Sequence, residues 1–136
     1  MSKSGFTLVE IMVVVVIIGI LAGIVVGSFT GHADEARMQA TKASIANIST
    51  QIDLFRIQQG RYPNSLDELV NKPSDAKTWG GGYMKSGVPL DGWSNKFIYK
   101  IDANSYTIIS YGADGKEGGD DINKDISNKD SAENNK

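Results

Sequence analysis

Residues 11–26 read IMVVVVIIGILAGIVV, a run without a single polar side chain. Phe6, Thr7 and Leu8 before it, and Gly27, Ser28 and Phe29 after it, extend a region of low polarity. A bilayer core of roughly 30 Å is crossed by about 20 apolar residues in a helix. The run is therefore long enough to span. A cleaved secretory signal has a shorter apolar core followed by a small-residue cleavage site, and no A-x-A site follows here before the polar chain begins. A plain signal-anchor is the simplest reading, and Glu10 does not fit it. A carboxylate within a membrane segment costs on the order of 2.5–3.5 kcal/mol on insertion scales. Glu10 either escapes toward the headgroups at the edge of the run or pairs with a cation supplied during assembly. Gly5 before Phe6 offers a cleavage point, because glycine lets a backbone enter a narrow active site. Cleavage there would create a new cationic N-terminus beside Glu10.

Lys3-Ser4-Gly5-Phe6-Thr7-Leu8-Val9-Glu10 resembles the class III signal of type IV pilins and type II secretion pseudopilins. The resemblance implies that a membrane prepilin peptidase cuts between Gly5 and Phe6 and N-methylates Phe6. It further implies that Glu10 meets the N-terminal amine of a neighbouring subunit in a homopolymer.

Beyond the apolar run the pattern changes. Met38, Thr41, Ile45, Ile48, Ile52 and Phe55 recur at spacings of three and four, so they share one face of a helix. No proline falls between Phe6 and Gln59, which predicts one helix roughly 80 Å long at 1.5 Å per residue. Gly60 and Pro63 end it. Relatives of this kind often carry proline at the position of Gly27, and the helix is expected to loosen there on polymerisation. Asp53 lies near the apolar stripe. It reads as a solvated face residue on its own pattern, and the resemblance offers an intersubunit salt bridge instead.

The remainder is polar and supports only a small core. Gln59-Gly60-Arg61-Tyr62-Pro63, then Ser65-Leu66-Asp67-Glu68-Leu69, reads as a helix stop, a turn and a short second helix, with Ser65 and Glu68 spaced as a capping box. Residues 96–102 and 105–111 are rich in strand formers, and Ala103-Asn104 separates them as an antiparallel hairpin. Residues 79–83, with three successive glycines, read as a flexible loop, and no phosphate-binding Lys-Ser follows. The GRYP stretch and Val88-Pro89-Leu90-Asp91-Gly92-Trp93-Ser94-Asn95 resemble signatures of major pseudopilins. Serine stands at 94 where that pattern has glycine, and phenylalanine at 97 where it has tyrosine.

From Asp114 to Lys136 there are seven Asp or Glu against four Lys. Glycines at 112, 115, 118 and 119 can fold such a stretch so that several oxygens face one point, as a hard cation requires. The spacing is not that of an EF-hand, and on residues alone a solvated acidic loop is the competing reading. The resemblance implies one structural Ca2+, with Tyr111 giving a main-chain carbonyl and Asp114, Asp120 and Asp121 giving carboxylates. Asn123 and Asp125 are alternative ligands. Residues 127–136 read as a disordered tail.

The sequence thus predicts an α+β chain of pilin-like fold. Its expected divisions are a leader at 1–5, a transmembrane and polymerisation segment at 6–30, a head at 31–126 and a tail at 127–136. The resemblance implies a bacterial inner-membrane protein with a periplasmic head. It implies polymerisation into a pseudopilus with minor pseudopilins and an inner-membrane assembly platform. A type IV pilin is the alternative. The net charge of -2 gives no sign of nucleic-acid binding. There are no cysteines and one histidine, His32, and no triad, hydrolase cluster or nucleotide motif indicates an enzyme.

Overall fold

A computed structural model describes residues 4–130, apart from the side chains of residues 28–30. The chain forms two compact units, Met1–Asp34 and Glu35–Lys136.

In the first unit, helix α1 (Leu8–Gln59) begins two residues later than the sequence predicts and continues without interruption through Gly27 and Gly31. Every large apolar side chain from Leu8 to Val26 is at least half exposed. This stretch is long and apolar enough to cross a membrane.

In the second unit the amphipathic half of α1 supplies one wall of the core. Ile45, Ile48, Ile52 and Phe55 are buried, and Thr41 and Gln59 continue the same stripe at either end. Met38 packs against its edge. The helix stops at Gly60, whose N–H donates to the Arg56 carbonyl at 2.8 Å and whose φ of 78° turns the chain away.

The opposite wall is a three-stranded antiparallel sheet, β1 (Ile98–Ile101), β2 (Tyr106–Ser110) and β3 (Ile126–Ser127), in that order. Ile101 pairs with Tyr106, and the Asp102 N–H closes on the Ser105 carbonyl at 2.8 Å, so Ala103-Asn104 forms the expected two-residue turn. Phe97, Ile108 and Ile126 are buried on the core side, and Leu69 and Met84 belong to the same buried cluster. The long helix over a small antiparallel sheet is the predicted α+β architecture.

Three local expectations are refined. The expected short second helix is a single 3-10 turn, residues 66–69, and Ser65 makes no side-chain capping bond. Glu68 is drawn instead to Arg61 at 2.9 Å and to the Asn64 N–H at 3.0 Å. The glycine run 80–82 is held at both ends. Gln59 Nε2 donates to the Thr78 carbonyl and to the Tyr83 hydroxyl, Gln59 Oε1 accepts the Lys77 N–H, and Tyr83 N–H bonds the Leu69 carbonyl. Residues 127–130, expected to belong to a disordered tail, are held against the sheet. Ser127 pairs with Ile109, the Asn128 side chain accepts the Ile108 N–H at 2.9 Å, and Asp130 accepts the Ser127 N–H at 2.7 Å. The Ser127 main chain and the Asn128 side chain satisfy the second edge of β2, and Asp130 braces Ser127, which composition could not reveal. Residues 131–136 lie outside the described residues.

Candidate functional site

Two features stand out, one in each unit. The first is the entry to α1. Thr7 precedes the first helical residue, and its carbonyl accepts the Ile11 N–H at 3.3 Å. Its Oγ1 accepts the Glu10 N–H at 3.2 Å, and Glu10 Oε2 accepts the Thr7 N–H at 2.9 Å. This is a capping box, in which two N–H groups that the helix cannot satisfy are bonded reciprocally. Thr7 Oγ1 also lies 3.2 Å from Glu10 Oε2. The Glu10 carboxylate therefore has a partner within its own chain. It sits against a surface of exposed apolar side chains, with Phe6, Val9, Ile11, Val13 and Val14 around it. Gly5 and Phe6 are exposed ahead of the helix.

The second feature lies in the head. Asp53 is exposed on α1, and the Tyr106 hydroxyl reaches its Oδ1 at 3.4 Å and the Ser49 carbonyl at 3.3 Å. Burial pushes the Tyr106 phenol above its ordinary range, and the Asp53 carboxylate beside it adds to the shift. Tyr106 stays a neutral donor, and most of the Asp53 carboxylate remains available.

The acidic loop follows β2. Its two ends are tied by the Ala113 N–H donating to the Ile122 carbonyl at 2.9 Å. Gly112 and Gly119 allow this closure, because a Cβ at either would lie 2.8 or 2.7 Å from the main chain of residues 122–123. Asp114 and Asp121 thereby sit on one closed loop, with Asp120 leading into a 3-10 turn, Asp121–Asn123. Asp121 has φ of 54°. Asp114 Oδ1 accepts the Lys116 N–H at 3.1 Å, and both Asp125 oxygens accept the Gly118 N–H at 3.0 Å. The Asn123 N–H bonds the Asp120 carbonyl at 3.0 Å. Tyr111 is half-buried at the exit of the strand.

The donors of this loop are carboxylate, amide and main-chain oxygens, the set that suits a hard cation such as Ca2+. The glycine closure supplies the cradle. Among the described residues, no three acidic or histidine side chains are gathered closely enough to hold a metal by themselves, so main-chain carbonyls must complete any shell. Sequence reading missed that Asp125 bonds the Gly118 N–H and that a buried network lies beneath Gly112; residues far apart in the chain build the latter.

Known proteins resemble this chain in sequence and in fold. Residues 28–129 match the family model for type II secretion system protein G, and residues 1–26 match the prokaryotic N-terminal methylation motif. The chain is 41% identical to the type II secretion system core protein G of Pseudomonas aeruginosa, over 95% of this chain and 96% of that protein. It is 37% identical to the core protein G of Vibrio cholerae, over 93% and 92%. The structure resembles the crystal structure of the major pseudopilin from the type 2 secretion system of enterohaemorrhagic Escherichia coli. The TM-score is 0.61 at 26% identity, covering 72% of this chain and 87% of that one. The chain belongs to the type II secretion system protein G family.

Proposed function

We propose that this chain is the major pseudopilin of a type II secretion system and that its role is structural rather than enzymatic. Residues 6–30 hold it in the bacterial inner membrane, with the head in the periplasm. A prepilin peptidase removes residues 1–5, Phe6 is N-methylated, and the subunits polymerise through α1 on an inner-membrane platform together with minor pseudopilins. The resulting fibre drives protein secretion. The observation that carries this reading is the entry to α1. Its wholly exposed apolar surface needs lipid or other copies of itself to cover it, and one carboxylate lies at its end. The family match favours this over a type IV pilin.

Before cleavage Glu10 is occupied by Thr7. The new Phe6 ammonium of a neighbour is a stronger partner, because it brings a full opposite charge to the carboxylate, whereas the Thr7 N–H and hydroxyl are neutral donors. Glu10→Ala removes that partner and also removes the charge that burdens insertion. It is expected to leave the protein in the membrane fraction and to abolish sedimentable fibres. Normal fibres from this variant overturn the reading. Asp53, exposed and bonded only at long range by Tyr106 among the described residues, serves as an intersubunit anion, and its reversal to lysine is expected to weaken assembly.

The acidic loop holds one structural Ca2+ through the Tyr111 carbonyl, Asp114, Asp120 and Asp121, with Asn123 or Asp125 as substitutes, and the ion draws together carboxylates that the described structure leaves apart. Bound only by the folded head, it stabilises by about 2.7 kcal/mol at a hundredfold excess over its dissociation constant. Equal melting of the full chain in detergent with calcium and with chelator refutes this.

A further inference from the structure

Asp91 is a carboxylate with 6% of its surface exposed. A buried charge is costly unless hydrogen bonds compensate it. Here Oδ1 accepts the N–H groups of Trp93 at 3.0 Å and Asn95 at 2.8 Å, and Oδ2 accepts the Ser110 hydroxyl at 2.7 Å. The main chain closes the same turn, with the Asp91 N–H on the Asn95 carbonyl at 2.9 Å and the Ser94 N–H on the Asp91 carbonyl at 3.0 Å. Two of these three partner residues then reach Gly112. Ser110 Oγ accepts the Gly112 N–H at 3.3 Å, and Asn95 Nδ2 donates to the Gly112 carbonyl at 3.4 Å. Gly112 is the corner packed against residues 122–123, where the acidic loop closes. The turn is itself seated on α1. The Gly92 N–H donates to Thr41 Oγ1 at 2.9 Å, and a Cβ at 92 would collide with the Arg37 carbonyl oxygen.

We propose that Asp91, acting through Ser110 and Asn95, is the positioning residue that fixes the first corner of the acidic loop and thereby sets the loop's affinity for a divalent cation. The inference rests on the calcium reading above. Without a cation the carboxylates of the loop repel one another, so a loop free to open binds only after paying for its own ordering. Clamping Gly112 through both its N–H and its carbonyl removes part of that ordering before the cation arrives. Partners of this outer kind typically change metal affinity roughly 10–100-fold.

The test is a Ca2+ titration by calorimetry on the full chain in detergent micelles, with the melting temperature without calcium measured in parallel. Asp91→Asn and the milder Ser110→Ala are compared with wild type. Glu68→Gln is the control, because Glu68 braces the head through Arg61 and has no bond to this network. Wild type is expected to bind, and both network variants to bind roughly 10–100-fold more weakly. Glu68→Gln is expected to melt earlier and to bind as tightly as wild type. If wild type binds and the network variants bind equally well, the positioning role is overturned while the calcium site stands. If the control loses affinity to the same extent, the effect is general destabilisation and the role is again overturned. If wild type binds no Ca2+, the calcium reading fails and this inference with it.

Discussion

Thr41 and Thr50 lie on the same helix, and each donates its hydroxyl to the carbonyl four residues back, at 2.8 and 3.0 Å. Only Thr41 does more. It is fully buried, and its Oγ1 also accepts the Gly92 N–H. Valine at either site keeps the branched shape and leaves no cavity. At position 50 it removes a bond that water replaces. At position 41 it strands the Gly92 N–H beneath the turn, and a buried donor without an acceptor costs about 1–3 kcal/mol. For a domain near the size of this head, each kcal/mol shifts Tm by about 4–8 °C, so Thr41→Val is expected to lower it by roughly 5–20 °C. Thr50→Val is expected to stay within about 0.5 kcal/mol of wild type, as exposed substitutions do. Near-UV circular dichroism of the full chain in detergent follows the aromatic core through the transition. Equal melting of the two variants refutes the claim that the 91–95 turn is fastened to α1 through this hydroxyl.

Arg61 binds Asp75 at 2.7 Å and Glu68 at 2.9 Å. Burial raises the Glu68 carboxyl, but the bonds from Arg61 and Asn64 outweigh it and hold Glu68 below its ordinary 4.5; the Arg61 bond likewise holds Asp75 below 3.8. A depressed carboxyl contributes stability that is present above its unfolded value and lost as pH falls through the folded one. The Tm is therefore expected to fall with pH below 4.5, and Glu68→Gln to flatten that decline in a pH series of melts. Phe55→Ala, at a fully buried ring, is expected to cost about 3–5 kcal/mol, while Ile57→Ala, at 80% exposure two residues on, costs less than about 0.5 kcal/mol; urea titration separates them. Ser94 adopts φ of 65°, a left-handed conformation that costs a non-glycine residue about 1–2 kcal/mol. Ser94→Gly is expected to recover up to about 1 kcal/mol, the rest being lost to chain entropy in the unfolded state, and to raise the melting temperature.

Periodicity made most of the fold legible. Ile45, Ile48, Ile52 and Phe55 declared their face through spacing alone, and Ala103-Asn104 marked the hairpin turn. The positive φ at 94 explains the glycine in the pattern of relatives, and the serine here, visible as a departure from it, carries that conformation as strain. Capping was misjudged in both directions. Ser65 and Glu68 have the spacing of a box and do not form one, because Arg61 and Asn64 compete for the carboxylate. Thr7 and Glu10 have the same spacing and do form one, a signal present in the sequence and overshadowed by the charge of Glu10. Strand β3 was invisible because it spans two residues, and Ser127 and Asn128 look like any polar tail until β2 offers them an edge. The acids of the cation loop were legible as a cluster. The buttress beneath them was not, because Asp91 meets Ser110 only once the hairpin has folded back.

The position of β3 has a consequence for how the head is completed. β2 lies at the centre of the sheet, and its second neighbour comes from Ile126–Ser127, near the end of the chain. A chain emerging from its N-terminus presents β2 with one bare edge until those residues arrive. An unpaired edge is a template for pairing with any other strand. A head cut within the exposed loop at 114–121 is left in the same condition. The integrity of the sheet thus depends on residues 126–128, and a head cut before them carries a sticky edge where the intact head carries Asn128.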